Sequence, residues 1–130
     1  MHTDDNSNSL RIYVVDDSPL IRRRVAEMIE QCHATLAGQA GSVDAAVREI
    51  QELRPDLVIL DMQLSDGSGF DVLRALEGKT PATEYCMFSN FAADPYRYMA
   101  RQLGARAFFD KSREFGCLRD AVAQRVAARH

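Results

Sequence analysis

Long apolar runs are what this sequence most plainly lacks. Nowhere does it approach the ~18 consecutive apolar residues that a membrane-spanning helix requires. Its opening, MHTDDNSNS, is polar and acidic, with none of the apolar core of a secretion signal. The expectation is a chain neither inserted in a membrane nor secreted, working in the cytoplasm. Cysteine is also scarce: Cys32, Cys86 and Cys117 are an odd number without C-x-x-C spacing. Two of them fall within apolar patterns, where a thiol behaves as a small hydrophobe, so a reducing compartment fits better than a disulfide framework. Charge of one sign is not in excess either. The 16 basic and 19 acidic residues are interspersed and leave a formal charge of -3, which gives no nucleic-acid footprint. The run Arg22, Arg23, Arg24 is followed on the same helix by Glu27 and Glu30 and reads as a solvated face. His2, His33 and His130 are scattered, and there is no internal repeat or low-complexity tract.

What is present is enough for one domain: 130 residues, 46% of them hydrophobic, can bury a real core. Residues 1–9 are expected to be a disordered lead-in, because they offer nothing to bury against the entropy of ordering them, and 10–130 the folded domain. LRIYVV (10–15) is a β-rich run. Ser18 and Pro19 then supply a helix N-cap and first position, and Ile21, Val25, Met28, Ile29 and Cys32 recur at helical spacing. A weaker strand, ATLAGQA (34–40), precedes a second helix that opens at Gly41 or Ser42, buries Val43, Val47 and Ile50, and is halted by Pro55. LVIL (57–60) is a third strand, followed by a Gly-rich loop and a short helix around Phe70 to Leu76. TEYCMFS (83–89) and ARAFFD (105–110) are further strands, separated by a helix over 92–103 that Gly104 closes. Phe115, Leu118, Val122 and Val126 mark a last amphipathic helix. Strict alternation with connections too long for hairpins predicts parallel strands with helical crossovers, hence an α/β doubly wound five-stranded parallel sheet with five helices.

Ligand sites in such sheets lie beyond the carboxyl ends of the strands. The strand exits here read Asp16 and Asp17, Asp61, Ser89, and Lys111 just after the fifth strand. Two carboxylates about 4 Å apart repel by roughly 4 kcal/mol at an effective dielectric of about 20, so a converging cluster shifts its pKa values or recruits a cation. Oxygen-only ligands with no nearby His or Cys favour Mg²⁺, which retains waters and leaves positions for phosphate oxygens. A carboxylate can itself be phosphorylated while a metal and a Lys neutralise the transferring oxygens. Asp61, alone at the end of the most apolar strand, is the expected acceptor. Each residue alone has an ordinary explanation. Asp16, Asp17 and Ser18 would be helix caps, DGSG a turn in which Gly67 and Gly69 supply permissive φ angles, Lys111 a solvated charge, and Phe108 core. Only their joint placement at strand exits points to a site.

Together VVDDS, LVILD with DGSG after it, MFS and FFDKS resemble the receiver domain of two-component response regulators, over about residues 10–129. The resemblance implies a flavodoxin-like, CheY-like sheet with order 2-1-3-4-5; with one helix after Lys111 and no linker following it, the expectation is a receiver that stands alone. The resemblance also implies Mg²⁺ held by Asp16, Asp17, Asp61 and the backbone carbonyl of Gln63, with Asp17 the more direct ligand of the first pair. Asp61 would be phosphorylated by a histidine kinase or histidine phosphotransfer protein. Ser89 stands at the switch hydroxyl, Lys111 at the family's lysine, and Phe108 at the aromatic switch position. Output would pass through protein contacts of the fourth helix, fifth strand and fifth helix, without direct nucleic-acid or membrane binding and without enzymatic turnover beyond the domain's own phosphorylation and dephosphorylation.

Three positions depart from the family pattern. Ser112 stands where Pro usually follows the Lys, making a cis peptide there improbable, since without Pro it costs about 2.5 to 4 kcal/mol. Ser65 replaces the usual Pro after the acceptor strand, and Asn90 is bulkier than the usual small residue and narrows access to Asp61. Two other readings remain open. One is an aspartyl-phosphate phosphatase, although Gln63 occupies the position where such enzymes carry a second acid. The other is a pseudo-receiver that only binds partners.

Overall fold

In the computed structural model, which describes residues 9–129, the backbone alternates strand and helix as the pattern predicts. Five strands, β1 (Arg11–Val15), β2 (Thr35–Ala40), β3 (Leu57–Leu60), β4 (Glu84–Ser89) and β5 (Ala107–Asp110), form one sheet in the order β2-β1-β3-β4-β5. Every adjacent pair is parallel. Five helices connect or follow them: α1 (Pro19–Gln31), α2 (Val43–Leu53), α3 (Gly69–Leu76), α4 (Asp94–Gln102) and α5 (Phe115–Ala128). Between β3 and α3 lies a feature absent from the sequence reading, a two-residue antiparallel ribbon in which Gln63–Leu64 pairs with Gly67–Ser68. The expected lead-in falls largely on residues 1–8, outside the described residues; Ser9 is described, its hydroxyl 2.7 Å from Thr35 Oγ1.

The strand alternation sorts the core into two layers. Ile12, Val14, Ile59, Cys86 and Phe88 face Val25, Met28 and Ile29 of α1 and Leu118 and Val122 of α5. Tyr13, Val15, Val58, Leu60 and Met87 face Ala46 and Ile50 of α2, Val72, Leu73 and Leu76 of α3, and Ala100 of α4. All four residues of β3 are buried, because β1 and β4 flank that strand and both its faces are covered. Each such side chain contributes roughly 1.5 to 3 kcal/mol of burial. Cys86 is part of this interior, and burial pushes its thiol up to about 12.

Helix starts follow local chemistry. Ser18 Oγ accepts from Ile21 N–H at 3.2 Å, with Pro19 behind it, and Ser42, not Gly41, caps α2 by accepting from Ala45 N–H at 3.2 Å. Ser68 and Asp71 cap α3 reciprocally, at 3.0 Å and 3.4 Å. Gly104 ends α4 at a φ of 105°, a conformation that favours glycine. The solvated-face reading of the arginine run holds for the exposed Arg23 and Arg24 and needs correcting for the half-buried Arg22. The Arg22 guanidinium bonds the backbone of Asp16, and Arg24 Cζ lies 4.2 Å from the centroid of the Phe115 ring.

The glycines of DGSG also need a different explanation from the sequence reading. Neither Gly67 nor Gly69 has a positive φ. Gly69 is required by close approach: a Cβ there would lie inside contact distance of the Asp61 carbonyl O and 3.1 Å from the carbonyl carbon. Gly69→Ala is therefore expected to destabilise the domain by about 2 kcal/mol, within the usual cost of overpacking, read as a lower urea midpoint. Gly116→Ala, whose Cβ would meet nothing nearer than Arg119 Nη2 at 3.7 Å, should leave stability unchanged or raise it.

Candidate functional site

Backbone bonds carry the sheet ladder one residue beyond the strands, and that extension places the polar groups. Asp16 N–H donates to Ala40 O at 2.9 Å, Asp61 N–H to Val15 O at 2.9 Å, and Lys111 N–H to Ser89 O at 3.0 Å. Each residue is thus held by the neighbouring strand's backbone while its side chain emerges at the carboxyl rim. Asp16, Asp61 and Ser89 are buried at 2%, 6% and 0% exposure, which makes an uncompensated charge there costly. Asp17 is exposed.

The side chains converge. Asp16, Asp17 and Asp61 each offer a carboxylate oxygen within 4.8 Å of the others'. Lys111 Nζ lies 2.7 Å from Asp16 Oδ2 and donates to Asp61 Oδ2 at 2.9 Å. The other oxygens are satisfied by backbone: Asp16 Oδ1 accepts from Ser18 N–H at 2.9 Å and Asp61 Oδ1 from Met62 N–H at 2.7 Å. Asp16 Oδ2 has its ion-pair contact with Lys111 but no well-directed hydrogen bond among the described residues. Burial raises the Asp16 carboxyl above its ordinary value; the Lys111 and Ser18 donors oppose the shift and Asp61 reinforces it. Burial alone would lower the Lys111 ammonium, but the adjacent Asp16 and Asp61 carboxylates outweigh that and raise it. Ser89 Oγ accepts from Phe91 N–H at 3.1 Å, leaving its own O–H to donate.

A cleft of about 290 Å³ opens onto these groups, lined by Asp17, Asp61, Gln63, Ser89, Asn90, Phe91 and Lys111. The sequence-derived residues Asp16, Asp17, Asp61, Gln63, Ser89 and Lys111 are therefore gathered in one place, with Asn90 at the rim. Phe108 is not among them. It lies half-buried on β5, its carbonyl accepting from Arg97 Nη1 at 3.1 Å and its ring 5.1 Å from Arg97 Cζ. Sequence reasoning missed Arg97, which also donates to Ala92 O at 2.7 Å and pairs with Glu114 at 3.3 Å, joining the β4–α4 loop, β5 and the start of α5. It missed Phe91 as well, whose ring meets Tyr96 edge-on at 5.8 Å; nothing in local spacing marks either residue.

The donor set fits a hard divalent cation. Among the described residues, three carboxylates face one ammonium, no His or Cys joins the cluster, and one buried carboxylate oxygen lacks a directed donor. The Lys111–Ser112 loop contains no cis peptide. Ser112 instead donates both N–H (2.9 Å) and Oγ–H (2.7 Å) to Asp110 Oδ1, bonds that proline could not make.

The family model of the response regulator receiver domain matches residues 12–123. Among curated proteins, the chain is 34% identical over 103 residues to the sensory transduction protein LytT of Enterococcus faecalis, covering 78% of this chain and 42% of that protein. It is 32% identical to a protein-glutamate methylesterase/protein-glutamine glutaminase of Koribacter versatilis, covering 92% of this chain and 34% of that one. The chain thus spans less than half the length of either. The response regulator domain of Thermotoga maritima CheB superposes with a TM-score of 0.81 at 23% identity, over 92% of this chain and 95% of that domain. Among the described residues, no helix is long and apolar enough to cross a membrane. With an acidic cluster at the exits of a five-stranded parallel sheet, and a family match across most of its length, the chain belongs to the response regulator receiver domains of two-component signalling.

Proposed function

We propose that Asp61 is the phosphoacceptor, taking a phosphoryl group from the phosphohistidine of a histidine kinase or phosphotransfer protein in the cytoplasm. The observation that carries this reading is the meeting of the Asp16, Asp17 and Asp61 carboxylates with Lys111 at the floor of an open cleft. Asp16, Asp17, Asp61 and the backbone carbonyl of Gln63 would hold Mg²⁺, which when bound supplies charge neutralisation at phosphoryl oxygens. Asp61 attacks phosphorus through a carboxylate oxygen while the P–N bond to the donor imidazole breaks, and the imidazole leaves with the bonding pair and takes up a proton. Lys111, already bridging Asp16 and Asp61, stays close enough to neutralise a new phosphoryl oxygen. The Ser89 hydroxyl can donate to another.

Ser89 and Phe108 would relay the change to the surface of α4, β5 and α5. Arg97 is the physical link there, since it bonds the loop after Ser89, the Phe108 carbonyl and Glu114 at once. Output passes through protein contacts and not through nucleic acid. The domain is a switch, not a turnover enzyme. Gln63 is an exposed carboxamide with no proton of suitable acidity to give a leaving group, which disfavours the phosphatase reading. The cleft that reaches Asp61 past Asn90 disfavours a pseudo-receiver.

Incubation with acetyl phosphate and Mg²⁺ is expected to add one phosphoryl mass to the wild-type chain and none to Asp61→Asn, with chelation of Mg²⁺ abolishing the gain. An unmodified wild type would sink the acceptor reading, and sustained Asp61-dependent release of p-nitrophenol from its phosphate ester would favour the phosphatase. Lys111→Met should slow phosphoryl uptake by roughly 10²-fold, the scale of losing one preorganised donor to a developing anion, measured as the rate of mass gain.

A further inference from the structure

The β2–α2 loop supplies none of the groups assigned above, yet it lies between the two loops that do, packed closely against one and bonded to the other. On one side the Arg22 guanidinium donates to Asp16 O at 2.6 Å and to Gln39 Oε1 at 2.9 Å. Gly41 sits so close to the acidic loop that a Cβ would come 3.1 Å from Arg22 Nη1 and 3.4 Å from Asp17 Cα. On the other side Gly41 O accepts twice from Ser65, from N–H at 3.4 Å and from Oγ–H at 3.2 Å. The next residue reaches further. Asp66 accepts from Val43 N–H at 2.6 Å and Asp44 N–H at 3.2 Å, first-turn donors of α2 that have no partner within the helix. Those bonds hold the exposed Asp66 carboxyl below the usual carboxylate range.

Ser65 and Asp66 are the turn of the short ribbon whose base is Gln63. A bonded ribbon moves as a unit, so fastening its turn sets the aim of its base. We infer that Ser65 and Asp66 are positioning residues: they latch the β3–α3 ribbon to Gly41 and α2, and so hold the Gln63 carbonyl in register with Asp16 and Asp17. The β2–α2 loop is then a strut that keeps the two halves of the acidic site at a fixed separation. Gly67 belongs to the same contact, since a Cβ there would lie 3.1 Å from Val43 Cγ2. An α2 in need only of a cap already has one in Ser42. The second cap comes from a loop more than twenty residues along the chain, and what it adds is a tie between loops.

This inference rests on the reading of the acidic cluster as a Mg²⁺ site, and the test separates the two. Mg²⁺ would be titrated into the ¹⁵N-labelled chain and followed by amide shifts, with urea midpoints measured in parallel. Asp66→Ala is expected to weaken Mg²⁺ binding about 10-fold, at the low end of what partners behind metal ligands contribute. Asp66→Asn keeps an acceptor for Val43 and should recover most of it. Ser65→Ala, a milder surface change, should weaken binding in the same direction but less. Ser42→Ala removes a cap from the same helix end without touching the ribbon; it should lower the urea midpoint as Asp66→Ala does and leave Mg²⁺ affinity at the wild-type value. Wild-type affinity in both Asp66→Ala and Ser65→Ala would overturn the latch. So would an affinity loss in Ser42→Ala equal to that of Asp66→Ala, which would make Asp66 a helix cap and nothing more. A wild type whose Asp61 and Lys111 amides show no saturable Mg²⁺ response would overturn the metal-site reading itself, and the latch with it.

Discussion

One ammonium group between two buried carboxylates governs the electrostatics of this domain. Lys111 Nζ lies 2.7 Å and 2.9 Å from oxygens of Asp16 and Asp61, whose side chains are 2% and 7% exposed. Removing such charges from water is expensive, and the arrangement stands only because each carboxylate also accepts a backbone N–H. Even so, Asp17 nearby leaves three acidic groups against one cation. The fold therefore holds a deficit of positive charge at one point on its rim, a local field that favours cations.

The sheet makes this arrangement possible. Because the strands are parallel, their carboxyl ends lie at one edge, and the ladder continues through Asp16, Asp61 and Lys111 so that their backbones are as fixed as the strands themselves. The demands of that edge propagate outward. Gly69 has no side chain because the chain passes directly against the Asp61 carbonyl, so the end of β3 and the start of α3 constrain each other. The two serines that replace family prolines both compensate with hydrogen bonds. Ser65 donates to Gly41 O and Ser112 to Asp110 Oδ1, each through its N–H and its hydroxyl. Rigidity that proline would give through its ring is supplied here by paired donors, at the cost of depending on partners elsewhere in the chain.

Much of the fold could be read from local signals. The alternation of short apolar runs with helical stripes led to the five strands and five helices, and Ser18 and Pro19 marked the start of α1 because a cap bonds within its own turn. Helix ends drifted by a residue or two, as at α4, which was expected over 92–103 and spans Asp94–Gln102; it starts at Ala93 with no side-chain cap to mark the boundary. The ribbon after β3 escaped notice because two residues per strand are too few to show a period. Arg22 reads as part of a solvated face and Arg97 carries no local mark at all, since nothing in their neighbourhood along the chain reveals that they bridge segments brought together only by the sheet.

By itself the sequence determined which chemical groups stand at the strand exits. Apolar runs end where backbone polarity and side-chain charge take over, and that transition is visible in LVILD as it is in YVVDD. Tertiary structure decided how those groups meet. Lys111 and Asp61 are fifty residues apart and touch only because β5 reaches the same edge through β4. Asp66 bonds α2 only because the sheet order puts β1 between β2 and β3, with the loops of all three together at one rim. Local periodicity carries information over a turn or a strand, whereas the separation of charges across loops depends on the order in which the strands pack, and that order is a property of the whole core.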